Sequence, residues 1–243
     1  MRVRKLLPLV LLWLLWPQEG NAWTLLANNT AAENGTTSAT TTPALNCTGA
    51  TLLIVGVSAY NQFPTVSDSK GNTWTSAVSN SANSPNLAAI YYVYVNASQV
   101  SASQTFTITD GSNNYSNEFA ACFSGAKSSP LDQTNNAFVG AGNFSVQPGS
   151  ITPTVNGELL LTALDNATGP AATINSGFTV TNAVAYGGGG TSNAGGMAYL
   201  VQGTAASINP TWSWGGVGDA GTTVIASFLP NSCPSRPLRG VGC

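Results

Sequence analysis

Trp212 and Trp214 stand two residues apart, and so do Tyr92 and Tyr94. In a β-strand, residues at that spacing share a face. A flat pair of rings on an exposed face is a surface on which sugar rings stack. The Asn, Ser and Thr side chains that fill this chain would bond the hydroxyls. The competing reading is a core, where Trp and Tyr bury more area than other side chains. For Trp212 and Trp214 the sequence leaves both readings open.

The remaining chemistry is narrow. The 243 residues contain no histidine, and only 7% are Asp, Glu, Lys or Arg. Ser-His-Asp and Cys-His mechanisms are therefore excluded, and zinc loses its usual nitrogen ligand. Paired carboxylates remain, among Glu33, Asp68, Asp110, Glu118, Asp132, Glu158, Asp165 and Asp219. A glycan-cleaving site would need two of them about 5–10 Å apart in a groove. Most stand at predicted turns or strand ends, where Asp satisfies backbone N–H groups. The sequence asks for no cofactor, with calcium the one ion its oxygen donors would suit. Asp110, Ser112, Asn114 and Glu118 alternate as a cation-wrapping loop would, but without EF-hand spacing or its glycine.

Four cysteines, Cys47, Cys122, Cys233 and Cys243, admit three pairings. Joining Cys233 to Cys243 would close a short loop, worth about 2.8 kcal/mol in the chain-entropy picture. That choice leaves Cys47 for Cys122.

These groups need a scaffold, and the periodicity supplies one. Phe106 and Ile108 alternate with threonines in TFTIT, and Phe178, Val180, Val184 and Tyr186 recur in FTVTNAVAY. Such alternation predicts strands with one buried and one wet face. Leu52 to Tyr60, Leu159 to Leu164 and Val224 to Leu229 are nearly continuous in apolar character. They read as central strands covered on both sides. Ser69-Lys70-Gly71-Asn72 reads as a hairpin loop, and four glycines from Gly187 to Gly190 as a loop tip. The expected fold is all-β: a two-sheet antiparallel sandwich, jelly-roll-like, with roughly a dozen strands.

The ends read differently. Arg2, Arg4 and Lys5 precede an apolar run from Leu6 to Trp16, followed by Gly20-Asn21-Ala22. That is the pattern of a secretory signal cleaved after Ala22. Cleavage removes three basic residues and one acid, which carries the formal net charge from −2 to −4. No basic stripe is left for nucleic acid, and no later apolar run is long enough for a membrane span. Residues 1–22 are thus expected as a signal peptide, 23–231 as one β-sandwich domain and 232–243 as a Cys-bracketed tail.

Four stretches carry a resemblance: Val66–Trp74 (VSDSKGNTW), Phe123–Asp132 (FSGAKSSPLD), Ile174–Val180 (INSGFTV) and Ala198–Trp214 (AYLVQGTAASINPTWSW). Together the chain from Thr41 to Leu229 resembles an uncharacterised family of secreted bacterial or phage-associated β-sandwich proteins. The resemblance implies a jelly-roll-like fold and an extracellular setting, and no catalytic residues.

The expected function is contact rather than chemistry: a non-catalytic extracellular sandwich that binds glycans or mediates adhesion. Its partner would be a polysaccharide or a surface protein, and its location secreted or cell-surface. A structural subunit of a surface layer, fibre or virion-like assembly, self-associating as a homo-oligomer, is the alternative. A two-carboxylate glycan-cleaving enzyme comes third.

Overall fold

The strand from Leu52 to Tyr60 is buried on both faces from Leu52 to Ala59. A strand without a wet face must lie between two other layers. The computed structural model supplies them; it describes residues 23–32, 38–81, 85–111, 115–187, 193–216 and 218–231.

The first half of the chain forms β1 (Thr24–Ala32), β2 (Ala39–Thr41), β3 (Leu52–Tyr60), β4 (Thr65–Asp68), β5 (Thr75–Asn80), β6 (Asn86–Tyr94), β7 (Phe106–Thr109) and β8 (Ser116–Ser124). The second forms β9 (Ala126–Asn143), β10 (Ser145–Val146), β11 (Glu158–Asp165), β12 (Thr173–Ile174), β13 (Thr179–Val184), β14 (Gly195–Gln202), β15 (Trp212–Ser213) and β16 (Asp219–Pro230). All the pairings are antiparallel, and they build four sheets.

Two five-stranded sheets, β1-β8-β3-β6-β5 and β13-β14-β11-β16-β9, face each other across a central core. Leu52, Ile54, Ile90, Phe119 and Phe123 meet Leu159, Leu161, Met197, Val224 and Phe228 there. The three-stranded sheet β2-β7-β4 covers the outer face of the first, burying Leu53, Val55, Phe106 and Ile108. The sheet β10-β15-β12 covers the second, burying Leu160, Leu164, Trp212 and Trp214. The molecule is thus an all-β, four-layer antiparallel sandwich with three hydrophobic layers. Full burial of each large apolar side chain contributes about 1.5–3 kcal/mol.

The halves repeat one another. Numbered within its own half, each has the order 1-8-3-6-5 in the large sheet and 2-7-4 in the small one. The isolated bridge Leu45–Gln104 has its counterpart in Ile151–Ile208. The bulge between Ser76 and Val78 returns between Val180 and Asn182. Pairing 1 with 8, 2 with 7 and 3 with 6 is the winding of a rolled-up hairpin. The fourth pair, 4 with 5, is not formed, because β5 and β13 instead extend the large sheets.

That displacement corrects the hairpin expected at Ser69–Asn72. β4 pairs with β7 and β5 with β6, so this turn carries the chain between sheets. Asp68 organises it. One carboxyl oxygen accepts from the Lys70 N–H at 2.7 Å; the other accepts from Asn72 Nδ2 and Trp74 Nε1, both at 3.0 Å. The VSDSKGNTW signature is therefore a folded turn.

Cys47 and Cys122 form a disulfide, with Cα atoms 5.5 Å apart, inside the first outer core. Cys233, Cys243 and the expected signal sequence lie outside the described residues.

Candidate functional site

The two halves meet through polar groups as well as apolar ones. Asn117 Nδ2 donates to the Asn193 carbonyl oxygen at 3.0 Å, and Thr222 Oγ1 donates to the Asn86 carbonyl oxygen at 2.9 Å. Strand register makes these bonds equivalents: Asn117 lies opposite Ser58, and Thr222 opposite Asp165. Each half thus holds the start of the other's sixth strand.

At this end of the seam a cleft of about 290 Å³ opens. Tyr60 ends β3, Asn86 begins β6 and Tyr115 precedes β8; Ala167 and Thr168 follow β11, Tyr186 follows β13, and Asn193 precedes β14. Tyr60 and Tyr115 stand with ring centres 6.0 Å apart and planes tilted by 59°. Tyr186 is 51% exposed, whereas Asn86 and Asn193 are buried. Asp219 holds Thr168 by accepting from its N–H at 2.9 Å and from its hydroxyl.

Behind Asn193 lies Asp165, wholly buried. Its carboxyl accepts from Asn193 Nδ2 at 2.6 Å and from the Ala167 N–H at 3.0 Å. Burial pushes the carboxyl up to about 8 against the pull of those two donors, and Asp219 nearby adds to the rise. The acid behind Asn193 is therefore held toward its neutral form at neutral pH. The arrangement offers aromatic faces, amides and a hydroxyl.

The expected aromatic platform is not formed. Trp212 is 0% and Trp214 5% exposed. Both point into the outer core of the second half, and Trp212 Nε1 donates to Thr162 Oγ1 at 3.0 Å. By strand register Trp212 answers Ile108 of the first half, and Trp214 answers Asp110. Tyr92 is turned inward as well, its ring edge-on to Phe228 at 5.5 Å. Of the four, Tyr94 alone reaches solvent substantially. Periodicity does not mark the cleft, because Tyr60 and Tyr186 close runs that read as strands and Tyr115 stands just before β8.

Of the expected calcium donors, Asp110 and Glu118 lie among the described residues, and both are buried. Asp110 accepts from the Ser116 hydroxyl. Glu118 lies in register with Val57 and Ala31, and burial pushes it up to about 8. Asn114 lies outside the described residues. Among the described residues no group of three or more Cys, Asp or Glu could hold a metal ion.

Two of the carboxylates meet directly. Asp132 and Glu158 hydrogen-bond to each other, and burial raises the Glu158 carboxyl. Glu158 also accepts from the Val155 N–H at 2.9 Å, and Asp132 from the Thr154 N–H at 2.9 Å. Direct contact leaves no gap for a glycosidic oxygen, so this pair lacks the spacing a glycosidase needs.

No family model, curated protein or solved structure matches the chain. Among the described residues no helix is long and apolar enough to cross a membrane.

Proposed function

We propose that this chain is an exported, non-catalytic β-sandwich that binds glycans, through the seam cleft rather than through Trp212 and Trp214. The supporting observation is the lining itself: three tyrosines, two asparagines and a threonine around about 290 Å³. Apolar walls with a few fixed polar groups are the usual make-up of a small-ligand site. Export is supported by the Cys47–Cys122 disulfide, since such bonds persist in oxidising compartments. The test is a polysaccharide array probed with the wild-type chain and with Tyr186→Ala. Loss of binding in the variant supports the cleft; equal binding by both sinks it.

A structural-subunit reading draws on one feature. β9 runs for 18 residues along the edge of its sheet, where unpaired backbone groups face outward. Pro130 and the register shifts along β9 interrupt that edge. Light scattering at high concentration decides it: assemblies support the subunit, and monomer alone removes it.

A further inference from the structure

Resting on the glycan reading above, we infer that the ligand is an uncharged sugar unit gripped by both halves, and that anionic sugars are refused. The walls come from two sides: Tyr60, Asn86 and Tyr115 from the first half, Thr168, Tyr186 and Asn193 from the second. None of these side chains is a cation. The basic residues among those described are Lys70, in the β4–β5 turn, and Lys127, near the start of β9. Neither lines the cleft.

A uronic or sialic carboxylate entering here would lose water and meet no counter-charge. Desolvating a charge without a partner costs several kcal/mol. The acids nearby supply no counter-charge for an anion: Asp219 holds Thr168 at the rim, and Asp165 lies one hydrogen bond behind Asn193. A neutral pyranose avoids that cost. Its ring stacks on a tyrosine face, and its hydroxyls exchange water for amide and hydroxyl partners. The volume, at the small end for ligand sites, fits one or two rings rather than a long chain.

The test is calorimetry on the full chain with three probes: a neutral hexose oligosaccharide, an N-acetylhexosamine oligosaccharide and a uronic-acid oligosaccharide. Binding of a neutral probe, weakened at least tenfold by Tyr186→Ala and by Tyr60→Phe or Tyr60→Ala, supports the inference. Tyr94→Ala, outside the cleft, should leave it unchanged. Tighter binding of the uronic probe than of either neutral probe overturns the inference and leaves the glycan reading standing. Neutral binding indifferent to the Tyr60 and Tyr186 changes overturns the cleft. No binding of any probe overturns the glycan reading itself. Circular dichroism of each variant confirms that a loss is not unfolding, and the 51% exposure of Tyr186 makes its truncation the mildest.

Discussion

The side-chain amide of Asn193 donates to the Asp165 carboxyl across 2.6 Å, where solvent does not reach. The bond joins a residue of the cleft wall to an acid that burial holds near 8. Glu118 is held near 8 by burial too, its two carboxyl oxygens without a partner among the described residues.

These two acids set a pH dependence with a definite sign. In the unfolded chain both titrate near 4. Between about pH 4 and 8 the folded protein keeps protons that the unfolded chain has released. Stability from this source is full at the acid end and falls as pH rises through about 8. Thermal melts should show a midpoint at pH 5 above that at pH 8.5, by about 5 °C or more. Glu118→Gln should flatten the slope, since an amide has no proton to lose. A midpoint that climbs with pH over this window would contradict the assignment.

Trp212→Ala should destabilise the fold by about 3–5 kcal/mol. The indole fills the second outer core and its N–H bonds Thr162. Guanidinium titration reads the loss. Tyr186→Ala should cost under about 1 kcal/mol in the same assay, because surface changes away from packing are small.

The disulfide spans 75 residues of sequence. In the chain-entropy picture a loop of that size contributes about 4 kcal/mol. Unfolding curves of the oxidised wild type and of a Cys47→Ala/Cys122→Ala double variant should differ on that order. Coincident curves would show that the constraint does little here.

Gly195 sits against the seam between the halves. A Cβ there would stand 2.5 Å from the Leu164 carbonyl oxygen and 2.5 Å from Ser58 Oγ. The first is backbone of its own half and the second a side chain of the other half, so Gly195→Ala must strain the β11–β14 pair and press on the seam through Ser58. A loss of about 1–3 kcal/mol is expected from such overpacking. Gly203→Ala, with open space around it, is the matched control and should be near neutral.

The strands were legible because their side chains obey simple periodicities. TFTIT became β7, with Phe106 and Ile108 inward, and the continuous run at Leu52 became β3, covered on both sides. The second covering layer was less legible, since β10, β12 and β15 have only two residues each. The repeat was present in the sequence without being obvious. Leu52-Leu53-Ile54 answers Leu159-Leu160-Leu161, and Phe119 to Phe123 answers Val224 to Phe228. Substitutions such as Ile108 for Trp212 preserve burial while erasing identity. The tryptophans misled because spacing places two rings on one face but does not say what covers it. The cleft was hidden because its residues are brought together only when the halves meet.

One consequence of the repeated topology concerns how the chain finds its partners. Among the described residues every β-ladder closes within residues 24–124 or within 126–230, and Gly125 alone joins the two sets. No backbone pairing has to wait for a strand from the far end. The entropy of loop closure grows with the length closed, so confining each search to half the chain shortens the longest one. What spans the whole sequence is only the docking of two greasy sheets and the few side-chain bonds that align them.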